Sequence, residues 1–178
     1  MPGEHMQSAK VVLILCSCFF AYGTTWSDWA FDYYFLWANL AEHPNAVARA
    51  TQYYTSQLDA PDIIKYIPFI NLLIAAVGFA AGLANMTDGN ILFDGASLVL
   101  MLFALSTYST SVKPGILNIS QTNDVEELSK NLRNIAAAHF IMTLAITGIV
   151  GLQITHYVLT KRADNAERAE AAAAKKNK

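Results

Sequence analysis

Charge is scarce in this chain. Of its 178 residues only 15% are Asp, Glu, Lys or Arg, against about 25% in a soluble domain. With 54% apolar residues and a mean hydropathy of +0.30, that deficit argues against a soluble globule. A net charge of −2 lacks the basic excess that nucleic-acid binding requires, so that class is set aside. Cysteine is nearly absent too. Cys16 and Cys18 are the whole supply, and both fall inside the first apolar run. Two positions apart on a helix they point to different faces and cannot bridge. No loop is stapled, which disfavours the disulfide-bearing tetraspan families. Catalytic patterns are missing as well: there is no Ser/His/Asp or Cys/His set, no metal-ligand cluster and no Gly-rich phosphate loop. The chain reads as a non-enzyme without a cofactor. Haem is disfavoured because its axial ligands must face one another, and the candidate histidines, His139 and His156, share one apolar run.

What the chain does have is four apolar runs, at about 9–26, 63–84, 91–110 and 135–159. Each matches the roughly 20 residues that cross a bilayer core of about 30 Å as a helix. Lipid offers the backbone no partner, so each run is predicted to be helical. The first has no convincing small-x-small cleavage site and reads as a retained span, not a signal peptide. The fold class is therefore all-α: a four-transmembrane-helix bundle over residues 1–160, followed by a short polar tail over 161–178.

The connections differ in kind. Residues 85–90 form a short Asn/Asp/Gly-rich turn, which predicts a hairpin of spans two and three. Lys113-Pro114-Gly115 is expected to stop the third helix. The first connection opens with WSDWAFDYYFLW at 26–37, which holds Trp26, Trp29 and Trp37, all the tryptophans of the chain. Aromatic rings with a polar tip favour the headgroup boundary, so these three are expected to be interfacial anchors. The segment is expected to lie in the interface plane with Asp28 and Asp32 facing water. After Pro44, Val47, Tyr54 and Leu58 share a face and predict a short interfacial helix.

Orientation follows from the basic residues. An even number of spans puts both termini on one side, with Lys10 and the tail residues Lys161, Arg162, Arg168, Lys175, Lys176 and Lys178. Lys161 and Arg162 abut the fourth span, where the positive-inside rule is strongest, and both termini are predicted to be cytosolic. The other side is then the lumen. Lys175 and Lys176, third and fourth from the carboxyl end, form a dilysine retrieval signal for the endoplasmic reticulum, provided that the tail is exposed and extended. Between it and the membrane the Ala/Glu/Arg-rich stretch is able to continue the fourth helix. Of two glycosylation sequons, the one at Asn85 would be cytosolic, and the one at Asn118 luminal but close to a span.

Within the spans, Gly78 and Gly82 form a G-x-x-x-G pair, and Gly148 and Gly151 with Ala145 give the fourth span a small-residue stripe. These are helix-contact candidates, for packing inside the bundle or for a foreign helix. Ser106 to Thr110 carry hydroxyls expected to bond back to helix carbonyls. Polar groups at membrane depth are few (Asn71, His139, Gln153 and His156), and Asp94 reads as a helix cap.

The ensemble resembles a known family, the fungal endoplasmic-reticulum packaging chaperones of amino-acid permeases, the "Shr-three" family. The resemblance is carried by WSDWAFDYYFLW, by QYYTSQLDAP at 52–61, by FDGASLVLMLFAL at 93–105, by KPGI at 113–116, by NIAAAHFIMTLAITGIVGLQ at 134–153 and by the Lys-ended tail. It implies a chaperone that shields spans of new amino-acid permeases until they fold. It also implies a tail that brings vesicle coat components to the client while the chaperone stays in the endoplasmic-reticulum membrane. A channel or small transporter is the competing reading, and the scarcity of polar groups at mid-depth weighs against it.

Overall fold

The structure is a computed structural model and describes residues 2–83 and 88–176. Among them there is no strand. The elements are α1 (Pro2–Leu36), a 3₁₀ turn (Leu40–Glu42), α2 (Ala46–Ser56), α3 (Asp62–Leu83), α4 (Asp88–Thr107), a π-helical turn (Tyr108–Val112), α5 (Lys113–Ile119) and α6 (Val125–Lys176). α1, α3, α6 and the run from α4 through α5 are each long and apolar enough to cross a membrane. α1 packs on α6 and α3, and α4 closes the bundle against α6 and α3. The turn at Asn85-Met86-Thr87, with its sequon, lies outside the described residues.

Two cores hold the chain. One lies between the four long helices and is built on Ile14, Cys18, Ala75, Phe79, Ile146 and Ile149. The other sits at one end, where α2, α5 and the start of α6 enclose Phe35, Tyr54, Ile116, Leu132 and Ile135. Ala46, Ala50 and Tyr54 form the buried stripe of α2, at the one-turn spacing that an amphipathic helix presents.

Three local expectations change. The aromatic segment at 26–37 does not turn into the interface plane. It continues α1 to Leu36, about 52 Å of unbroken helix at 1.5 Å per residue. Phe31 stacks on Tyr53 of α2, and Trp29 and Trp37 meet Phe140 of α6, so these rings find partners without a bend. Lys113-Pro114-Gly115 does not stop the third helix either. A π-turn absorbs the extra residue and Pro114 falls in the first turn of α5, where its missing N–H costs nothing. Gly115 lets α5 lie against α6, since a Cβ there would stand 2.7 Å from Ile135 Cγ1. The tail, finally, is not extended: α6 runs helical to Lys176, with Lys175 exposed. Ala, Glu, Arg and Lys, all strong helix formers, fill its last turns. As expected, Thr107 and Thr110 donate to the carbonyls of Phe103 and Ser106 at 2.9 and 2.8 Å.

α3 is packed over only half its length. Ala75, Gly78, Phe79 and Gly82 are buried, whereas none of residues 62–74 is. Pro68 interrupts the helix's hydrogen bonding in that first half.

Candidate functional site

Two buried polar clusters lie at opposite ends of the bundle, and four of their members, Lys10, Asp28, Asp32 and Asp94, were expected elsewhere. At the end bearing the chain termini, Lys10 Nζ meets Asp94 Oδ2 at 2.8 Å, with both side chains sealed from solvent. Asp94 is one turn and a half inside α4 and caps nothing. Its second oxygen accepts from Gln153 Nε2 at 3.0 Å, and the same amide reaches Ser97 Oγ. His156 stacks on Phe93 with ring centres 4.9 Å apart. A charge at membrane depth demands a partner. Asp94 finds it in Lys10, which therefore adds no free charge to the orientation rule.

Gly82 makes that pair possible. A Cβ on it would collide with the Asp94 carboxylate and come within 2.8 Å of Lys10 Cδ. Gly78 likewise admits Ile14, whose Cγ1 would stand 2.8 Å from a Cβ. Both glycines thus face α1 of the same chain. Gly148 receives Leu100 of α4, and Gly151 faces open space.

At the other end, Asp32 is buried and not water-facing. Its Oδ1 accepts from Tyr54 at 2.6 Å and its Oδ2 lies 2.7 Å from His139 Nδ1. Asp28, one turn earlier, accepts from Tyr53 at 2.9 Å and is only 18% exposed. α1 continues as a helix here, so both carboxylates turn toward α2 and α6. Burial first, and then the neighbouring carboxylates, hold the Tyr53 and Tyr54 phenols above the ordinary tyrosine value, so each stays neutral and donates. Of the tryptophans, Trp29 and Trp37 stack at 5.1 Å and meet Phe140 of α6, while Trp26 is 78% exposed.

Between the clusters, a cleft of about 480 Å³ separates the unsupported half of α3 from α1, α4 and α6. Its floor is apolar, with Ile14, Phe79 and Ile149. Its upper wall is polar, with Thr24, Asp28, Tyr53, Gln57 and His139. Ser17 and Asn71 clasp α1 to α3 along its side, through Ser17 Oγ to Asn71 Oδ1 at 2.9 Å. Among the described residues no group of three or more His, Cys, Asp or Glu is placed to hold a metal ion.

The comparison with known families decides what kind of protein this is. The family model of the SHR3 chaperone, described as ER membrane protein SH3, matches residues 5–178. The chain belongs to this family. It is an endoplasmic-reticulum membrane chaperone, multi-pass by its four apolar helices. No curated protein and no solved structure matches it significantly.

Sequence reasoning missed the chaperone's acid–base pairs. The available signal was charge lying alone in or beside apolar runs: Lys10 and Asp94 are opposite in sign, and Asp32, at the end of the first run, has a complement in His139 of the fourth. Lys175 and Lys176 end α6, far from both clusters, and nothing brings them toward the cleft.

Proposed function

We propose that the chaperone holds newly inserted spans of amino-acid permeases in its cleft until they pack, and so delivers them in a form competent for export. The observation that carries this is the half-packed α3 beside a polar wall, within a family of membrane chaperones. A permease carries polar groups that will line its transport path. Before packing they face lipid, where each is costly and prone to pair wrongly. A cleft with an apolar floor and hydrogen-bonding groups on one wall covers such a face. Release needs no energy source, only an affinity weaker than the client's own final packing.

Residues 1–160 act in this reading as the client-holding membrane domain, and residues 161–178 as a cytosolic tail. Both termini are cytosolic, which rests on Lys161 and Arg162 beside the fourth span. Lys175 and Lys176 serve retrieval, and the tail recruits coat components. Because α6 stays helical to Lys176, the coat must unwind its last turn. This costs little at a frayed, exposed helix end.

The test removes the chaperone from cells and follows permease solubility in mild detergent. Permeases should aggregate in the endoplasmic reticulum while unrelated membrane proteins reach the surface. A chain ending at Thr160 should still prevent aggregation but export clients less well. Unchanged permease folding and delivery would end this reading, and transport by the purified protein in liposomes would replace it with the channel or transporter.

A further inference from the structure

We propose that the acidic wall of the cleft recognises a basic side chain, so that the preferred occupant is a client transmembrane helix with a Lys or Arg in the half nearest α2. This rests on the client-holding reading above and specifies its chemistry.

The wall is short of positive charge. Two carboxylates, Asp28 and Asp32, share one imidazole. Asp32 has both oxygens engaged, one by Tyr54 and one by His139 Nδ1. Asp28 has only neutral hydrogen-bond donors, Tyr53 and Gln57, which bring no charge. Its closest cation-forming atom is His139 Nε2, 3.9 Å from Oδ2 and beyond hydrogen-bond reach. Both Asp28 and His139 line the cleft, and among the described lining residues there is no Lys or Arg. At the opposite end the bundle solves the same problem internally, by giving Asp94 a lysine. No such partner is supplied to Asp28. The Asp28 side chain is 18% exposed and lines the cleft.

Shape and depth agree. The volume of about 480 Å³ lies in the range of sites that hold one small molecule, about 300–1,000 Å³. It accepts a few side chains of one helix face and not a whole helix, which keeps the contact shallow and reversible. Asp28 lies about 27 Å along α1 from Lys10, close to the far edge of a core about 30 Å thick. A Lys or Arg stem can rest on Met142 and Leu105, apolar lining residues within one turn of His139 and Tyr108, and carry its charge to the carboxylate. An intramembrane basic residue is also among the groups that an unfinished permease shields least well.

The experiment places a photoreactive residue at Ala21, which lines the cleft without touching Asp28 or Asp32, in the full chain in microsomes. Single-span test segments, identical except for Lys, Glu or Leu at one position near the α2 end, are inserted alongside a permease. The Lys segment should label roughly tenfold more than the other two, the effect of one favourable ion pair in a partly buried site. Asp28→Asn should bring it down to the Leu level while permease labelling by apolar contact persists, which also shows that the variant is folded. A Lys preference that survives Asp28→Asn, equal labelling of all three segments, or adducts with lipid alone would overturn the proposal. If permeases label but the Lys segment has no advantage over the Leu segment, or keeps its advantage in Asp28→Asn, only this inference fails. If nothing labels, permeases included, the client-holding reading fails with it.

Discussion

Replacing Asp94 with Asn keeps the shape of the side chain and an acceptor for Gln153 but removes the charge that neutralises Lys10. The two groups meet at 2.8 Å with side chains 3% and 0% exposed, so the ammonium cannot recruit water in place of the lost partner. Removing one member of a buried pair costs about 3–5 kcal/mol, because the other is left charged and alone. Lys10 stands near the start of its span and can partly withdraw toward the headgroups, so the lower figure applies. About 3 kcal/mol is more than a hundredfold in the folded-to-unfolded ratio. Pairing Asp94→Asn with Lys10→Met removes the orphaned charge and should recover most of the loss, since an apolar side chain in place of a buried ion is often neutral. Exchanging the two residues should fail outright, because Gly82 leaves no room for a longer side chain at position 94. Thermal unfolding in mild detergent, read as the fraction remaining monodisperse, compares the wild type, Asp94→Asn, Lys10→Met, the double variant and the exchange. A double variant that loses as much as the sum of the two single variants would refute the claim that the pair couples α1 to α4.

Four further outcomes can be measured. Gly82→Leu should prevent accumulation of the protein while Gly151→Leu is tolerated, because the first meets Asp94 and Lys10 and the second meets nothing; steady-state levels in cells compare them. Tyr54→Phe should cost about 1–3 kcal/mol by leaving an Asp32 oxygen without a donor, and detergent melting reads the loss. In the intact protein the Tyr54 phenol is raised, so its contribution to stability is complete below the ordinary tyrosine value and lost only well above it. Phenolate absorbance should therefore lag behind that of exposed tyrosines until the protein unfolds. A protease added to sealed microsomes should remove a tag placed after Lys178; protection of that tag would reverse the topology and remove the basis for retrieval by Lys175 and Lys176.

The spans were legible because their cause is local. A run of apolar residues in lipid has only one way to satisfy its backbone, and so 63–84 in the sequence becomes Asp62–Leu83 in the fold. The back-bonding of Thr107 and Thr110 and the helical run of the tail have equally local causes, whereas of the face expected on α2 only Tyr54 is buried, beside Ala46 and Ala50. The family, too, was written in residues 26–61 and 93–153 before any contact was known. Whether a charged residue faces water, lipid or a partner is another matter, since it depends on what arrives from elsewhere in the chain. Lys10 reaches Asp94 across 84 positions and Asp32 reaches His139 across 107. Read locally, Asp94 looked like a cap, and Asp28 and Asp32 looked like the wet side of an interfacial segment. The cleft was less visible: Gly78 and Gly82 marked one half of α3 as able to approach another helix, but not which helix would come or that the other half would stay open. Apolar residues in a membrane are content against lipid or protein alike. Only the placement of Ala75, Gly78, Phe79 and Gly82 against α1, and the lack of any buried residue from 62 to 74, decided where the bundle closes and where it stays open.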